Sequence, residues 1–208
     1  MVDYPSDSGG GPALIHEGER ARMRLSDLGL TIDNVLRPVR AAELEARRYT
    51  VDDPPSAAGL ARWFRTVRVL REELVGPDWE RETTRGLPLT CHRTRKTRII
   101  ATTGDEDTGM RSGLPATRHI KGIATAVVIG EDPGQMYLPF EGSEEAISEE
   151  IRLGLGYTWI LLYYPDELTG MIRVEFSRPH ETAPRQRVDR WHERVLLSPI
   201  DVAELDAE

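Results

Sequence analysis

Residues 157–176 read YTWILLYYPDELTGMIRVEF, and the pattern of this stretch decides the fold class. On a strand, Tyr157, Trp159, Leu161 and Tyr163 share one face, and Thr158, Ile160, Leu162 and Tyr164 share the other. Both faces are largely apolar, and such a strand belongs inside a sheet that is covered on both sides. Pro165, Asp166, Thr169 and Gly170 then supply turn chemistry. The return segment alternates, with Ile172, Val174 and Phe176 to one side and Arg173, Glu175 and Ser177 to the other. A hairpin at the centre of a sheet is expected, and it carries structure rather than chemistry.

Upstream of this hairpin the pattern is helical. Leu28, Ile32, Val35, Leu36 and Val39 recur at helical spacing, with Asp33 as a candidate cap and Pro38 placed to open a second helix over 39–48. After the break at Pro54-Pro55-Ser56, Leu60, Trp63, Phe64, Val67, Leu70 and Leu74 form one apolar stripe, expected to face the core. Gly76-Pro77 ends that helix. Short strands are expected over 87–92 and 97–103, and a last one over 191–200. Helices first and strands later favour an α+β fold, with N-terminal helices followed by a mainly antiparallel sheet built around the C-terminal hairpin. Residues 1–20 are rich in Ser, Gly, Pro and acid and read as a flexible tail. Residues 21–200 read as one α+β domain and 201–208 as a frayed acidic end.

The 208 residues suit one domain, and 39% apolar with 30% charged residues fit a globular protein with solvated segments. No apolar run approaches the roughly 20 residues that span a bilayer, so no membrane partner is expected. The first residues have no basic segment followed by an apolar one, which argues against a secretory leader. The single cysteine, Cys91, rules out an internal disulfide framework and fits a reducing cytoplasm. A net charge of −8 argues against nucleic-acid binding by the whole surface and leaves room for a local basic patch.

Little in the chain has the spacing of catalytic machinery. His16, His92, His119, His180 and His192 are scattered, with no CxxC and no HExxH, so neither a metal nor another cofactor is expected. Asp166 and Glu175 have the separation of a nuclease carboxylate pair, yet Ser177 stands where that pattern needs a lysine. Cys91 and His92 are adjacent and would point to opposite faces of a strand. The loop over 102–109, TTGDEDTG, contains Asp105, Glu106 and Asp107, which would repel a phosphate but could hold a hard cation. An enzyme of unrecognised type at this loop is one reading, and a solvated turn is another. Arg93, Arg95, Lys96 and Arg98, in a basic hairpin over 92–98, could contact nucleic-acid phosphates, although no aromatic residues are interleaved to stack on bases.

The most specific short signal is Gln135-Met136-Tyr137-Leu138-Pro139-Phe140. It resembles the bacterial DNA sliding-clamp-binding peptide, in which a glutamine makes polar contacts while a leucine and a phenylalanine fill an apolar cleft. Gln135, Met136, Leu138 and Phe140 are the candidate partner-binding residues; Leu138 and Phe140 would serve equally as core residues of a strand. ATTGDEDTG (101–109), RHIKGIAT (118–125), WILLYY (159–164) and GMIRVEFSRP (170–179) together resemble an uncharacterised bacterial protein family associated with mobile or prophage-like elements. That resemblance implies a setting and no catalytic residues. The expectation is a cytoplasmic, non-enzymatic accessory protein of a mobile element or phage. It would dock onto partner proteins, with the clamp as the candidate partner, and nucleic-acid binding through the basic hairpin is the alternative. The sequence leaves the oligomeric state open.

Overall fold

The computed structural model describes residues 12–84, 86–95, 97–118, 158–180 and 187–206. Strand β1 (Leu14–His16) precedes three helices, α1 (Glu19–Asp27), α2 (Ile32–Ala46) and α3 (Ala57–Leu74). Then come β2 (Trp79–Thr84), β3 (Leu87–His92), β4 (Arg98–Thr103), β5 (Thr158–Asp166), β6 (Met171–Pro179), β7 (Trp191–Leu196), β8 (Ile200–Asp201) and a 3-10 turn at Glu204–Asp206. Among the described residues no helix is long and apolar enough to cross a membrane.

The expected arrangement of N-terminal helices and a mainly antiparallel sheet is not the one that forms. Among the described residues, one mixed sheet of eight strands runs in the order β1-β7-β6-β5-β4-β3-β2, with β8 paired to β6. Both β1–β7 and β4–β5 are parallel. Nor is helical structure confined to the front, since β1 comes before α1 and a 3-10 turn closes the chain. Connection length explains the error. A tight turn obliges two strands to run antiparallel, whereas the long connection from β4 to β5 permits a parallel crossover. Within the stretch read as a flexible tail, residues 14–16 pair with β7, and near the other end Leu205 is buried.

The central hairpin has the register Ile160↔Ser177 through Asp166↔Met171. Its turn is closed by the Gly170 N–H, which donates to the Asp166 carbonyl at 3.0 Å. Gly170 has φ +68°, a conformation that favours glycine. Trp159, Leu161 and Tyr163 of β5 face the helices together with Ile172, Val174 and Phe176 of β6. The Trp159 and Phe176 rings stack at 5.0 Å. Ile160 and Leu162 point the other way, into a second apolar cluster with Leu89, Ile100, Val188 and Trp191. The strand is covered on both sides, as its two apolar faces require.

Local chemistry ends and starts the helices. At the end of α1, the Leu30 N–H donates to the Leu25 carbonyl and the Gly29 N–H to the Ser26 carbonyl. With Gly29 at φ +76° this is a Schellman closure. The cap of α2 is Thr31, not Asp33: Thr31 Oγ1 accepts from the Asn34 N–H and Asn34 Oδ1 from the Thr31 N–H. Pro38 lies buried inside a continuous α2 and does not open a second helix. Helix α3 also repairs the sheet. The β3–β4 ladder pairs Thr90 with Ile99 and Cys91 with Arg98. Continuing that register would bring Pro88 opposite Ala101, and proline has no N–H to donate. The Trp63 indole N–H donates to the Ala101 carbonyl instead, at 3.0 Å.

Candidate functional site

The polar side of β6 faces protein, not solvent. Glu175 is 0% exposed, and Ser177 and Arg194 are buried beside it. The register Ser177↔Arg194 places these side chains on the face opposite the helices. Glu175 accepts from Arg194 Nε at 3.2 Å and Nη2 at 2.5 Å, from the Ser177 hydroxyl at 2.8 Å and from the Gly109 N–H at 2.8 Å. Arg194 also donates to the Gly113 carbonyl at 2.8 Å and the Met110 carbonyl at 3.1 Å. A buried carboxylate survives without water only when its charge is paired and its lone pairs are used. Here both conditions hold, and the ion pair ties the loop after β4 to the sheet.

That loop is the TTGDEDTG segment. Gly104 is bonded to the Tyr163 carbonyl and bridged to Thr117, and a Cβ there would sit 2.0 Å from Thr108 Oγ1. Gly109 has φ +74°, and a Cβ there would come within 3.0 Å of Arg173 Cβ. The loop acids bond their own backbone. Asp105 accepts from the N–H groups of Asp107 and Ala116, and Asp107 from that of Leu114. Burial raises the Asp105 pKa against the opposing effect of those backbone bonds. Trp191 and Val188 clamp the far side, the indole donating to the Pro115 carbonyl at 2.7 Å and the Val188 N–H to Thr117 Oγ1 at 3.0 Å. Asp105 and Asp107 therefore order the loop. Among the described residues no group of three or more His, Cys, Asp or Glu is placed to hold a metal ion. Asp166 and Glu175 form no carboxylate pair, since Asp166 faces Met171 at the turn and Glu175 lies four residues further along β6.

The basic hairpin is also engaged internally. His92 Nδ1 accepts from the N–H groups of Thr94 and Arg95, and its ring stands edge-on to Trp79 at 4.9 Å. Burial, with Arg95 nearby, lowers the His92 pKa. Arg93 is ion-paired with Glu80, and Arg95 donates to the Asp27 carbonyl at the end of α1. Arg98 lies beside Glu82, and Lys96 is outside the described residues. Cys91 donates to Glu82 Oε2 at 3.1 Å. Burial and that carboxylate push its thiol up to about 12, which leaves negligible thiolate at neutral pH.

Helix α3 differs most from its sequence pattern. Leu70 is buried, but the line that packs inward also uses Ala61, Thr66 and Val69. Leu60 and Phe64 are 50% and 60% exposed, a correction to the single core-facing stripe. The helix packs against α2, where Arg62 bonds Glu43 at 2.7 Å, and over strands β2 to β4. Trp63 is partly buried through its bond to Ala101, and its ring meets Phe64 at 5.1 Å. Leu60, Trp63 and Phe64 thus form an apolar ridge on α3, with Arg65 and Arg68 in the same turns. The hexapeptide residues Gln135, Met136, Leu138 and Phe140 lie outside the described residues.

Sequence reasoning missed the ridge and the Glu175–Arg194 pair. The ridge had one legible signal, since an apolar stripe that contains Leu60, Trp63, Phe64 and Val67 is wider than one sheet contact needs. Comparison with protein-family models, with curated proteins and with solved structures found no match.

Proposed function

We propose that this protein is a cytoplasmic, non-enzymatic accessory factor of a mobile element or phage that docks onto the bacterial DNA sliding clamp. Gln135, Met136, Leu138 and Phe140 form the primary contact, and the α3 ridge forms a second one. The observation that carries a docking role is the ridge: Leu60 and Phe64 stand 50% and 60% exposed one helical turn apart. Large apolar and aromatic side chains flanked by arginines are the chemistry of interface anchors. The hexapeptide supplies the identity of the partner through its glutamine and its two apolar anchors. Nucleic-acid binding through the hairpin over 92–98 is the weaker reading, because Arg93 and Arg95 already bond Glu80 and the α1 terminus.

Calorimetric titration of the full chain with purified clamp tests the proposal. Leu138→Ala with Phe140→Ala should abolish binding. Leu60→Ser with Phe64→Ser should weaken it by more than about 1 kcal/mol, with little change in melting temperature because both side chains are at the surface. A wild-type chain without affinity for the clamp would sink the reading. Full binding by the ridge variant would remove α3 from it.

A further inference from the structure

Strand β2 ends the sheet, and one side of it is unused. The Arg93 N–H donates to the Asp78 carbonyl at 2.8 Å, so Trp79 and His92 face each other without mutual hydrogen bonds. By alternation Trp79, Arg81 and Thr83 turn their N–H and C=O groups away from β3. The Trp79 carbonyl is covered, since the Gly76 N–H donates to it at 3.0 Å. Arg81 and Thr83 are exposed, and among the described residues no strand pairs with their outer edge.

Positive charge collects on one face of this edge. Trp79 packs in the cluster beneath the helices, and Arg81, two residues on, shares its face. There Arg71 of α3 donates to the Glu82 carbonyl at 2.8 Å and the Leu89 carbonyl at 3.1 Å. Burial, with Arg81 nearby, lowers the Arg71 pKa. Two carbonyls do not neutralise a guanidinium, and the acids at the end of α3 are committed elsewhere, Glu72 to Arg68 and Glu73 to Arg37. The opposite face is balanced: Glu80 pairs with Arg93, and Glu82 accepts from Cys91 and lies beside Arg98.

We propose that the free edge of β2 takes an extended acidic segment of a partner protein, which pairs with the main chain at Arg81 and Thr83 and sets a carboxylate on the face of Arg71 and Arg81. Strand addition needs unpaired edge groups for affinity and a side-chain preference for specificity, and β2 offers both. The exposed Arg81 side chain donates to the partner's carboxylate, while Arg71 stays on its two carbonyls and contributes its charge. A second copy of this chain is the wrong occupant. Antiparallel β2 edges would set Arg81 against Arg81 or, in the next register, Glu82 against Glu82, and like charges directly opposite are destabilising.

Amide resonances of the full chain, followed by NMR during titration with the capped peptide Thr-Glu-Thr-Glu-Thr-Glu-Thr, test the proposal. The alternation puts every acid of the peptide on one face of a strand. The expected result is saturable shifts of the Arg81 and Thr83 amides that weaken with added salt. The same peptide with lysine in place of glutamate should bind roughly tenfold more weakly or not at all. Arg81→Glu, a change at an exposed side chain, should abolish that preference. Thr83→Pro removes only an outward N–H, which an edge strand tolerates, so the β2–β3 ladder should persist while peptide binding is lost. Should Thr83→Pro fold poorly, Arg81→Glu decides. Absence of shifts at Arg81 and Thr83 would overturn the proposal. So would equal binding of the two peptides, an unchanged preference in Arg81→Glu, or undiminished binding by folded Thr83→Pro.

Discussion

Arg194→Met tests whether the Glu175–Arg194 pair holds the loop after β4 onto the sheet. The change roughly keeps the aliphatic volume but removes both bonds to Glu175 and the donors to the Gly113 and Met110 carbonyls. Glu175, 0% exposed, is left charged with only the Ser177 hydroxyl and the Gly109 N–H. Stranding a buried charge in this way costs about 3–5 kcal/mol. Each orphaned carbonyl adds about 1–3 kcal/mol unless water reaches it. A loss of at least about 3 kcal/mol is expected, a large part of the roughly 5–15 kcal/mol that holds an ordinary domain together. Urea unfolding followed by the fluorescence of the four tryptophans measures it. A second variant separates charge from shape. Glu175→Gln added to Arg194→Met removes the stranded charge, so the double variant should be more stable than Arg194→Met alone. A single-variant loss near zero, or a double variant less stable than the single one, would refute the electrostatic account of the loop.

Three further outcomes are expected. Leu161, fully buried between β4 and β6, should cost about 2–5 kcal/mol on change to alanine; a loss within error of zero in urea melts would show that β5 is not central. His92 accepts two backbone N–H groups in its neutral form, and its pKa is lowered by burial. Its contribution is therefore complete above the ordinary imidazole range of about 6.5 and is lost as pH falls through the lowered value. Melting temperatures from pH 7.5 downward should fall more steeply for the wild type than for His92→Gln, and parallel curves would contradict this. Cys91, with its thiol pushed up to about 12, should resist a thiol reagent at neutral pH and react in step with urea unfolding; rapid labelling of the folded chain would show that the strand opens locally.

Elements with local signals were legible in the order of the residues alone. The alternation of residues 158–164 and 171–177, with turn residues between them, placed the central hairpin and the burial of Trp159 and Leu161. The break at Pro54-Pro55 and the apolar spacing beyond it placed α3. What those elements face was set by packing across the fold. Periodicity separates the two sides of β6 but does not say what covers them. Glu175 and Ser177 read as an ordinary polar side until the loop after β4 buries them against Arg194. The same holds for α3, where tertiary packing buries Ala61 and Thr66 and leaves Leu60 and Phe64 outside. Strand direction was equally illegible, because the parallel pairs β1–β7 and β4–β5 join segments distant in sequence. Contacts of that kind are selected by the free energy of the whole assembled core, and no window of sequence contains both partners. His180 and His192 meet for the same reason, through the pairing of two strands and not through their spacing.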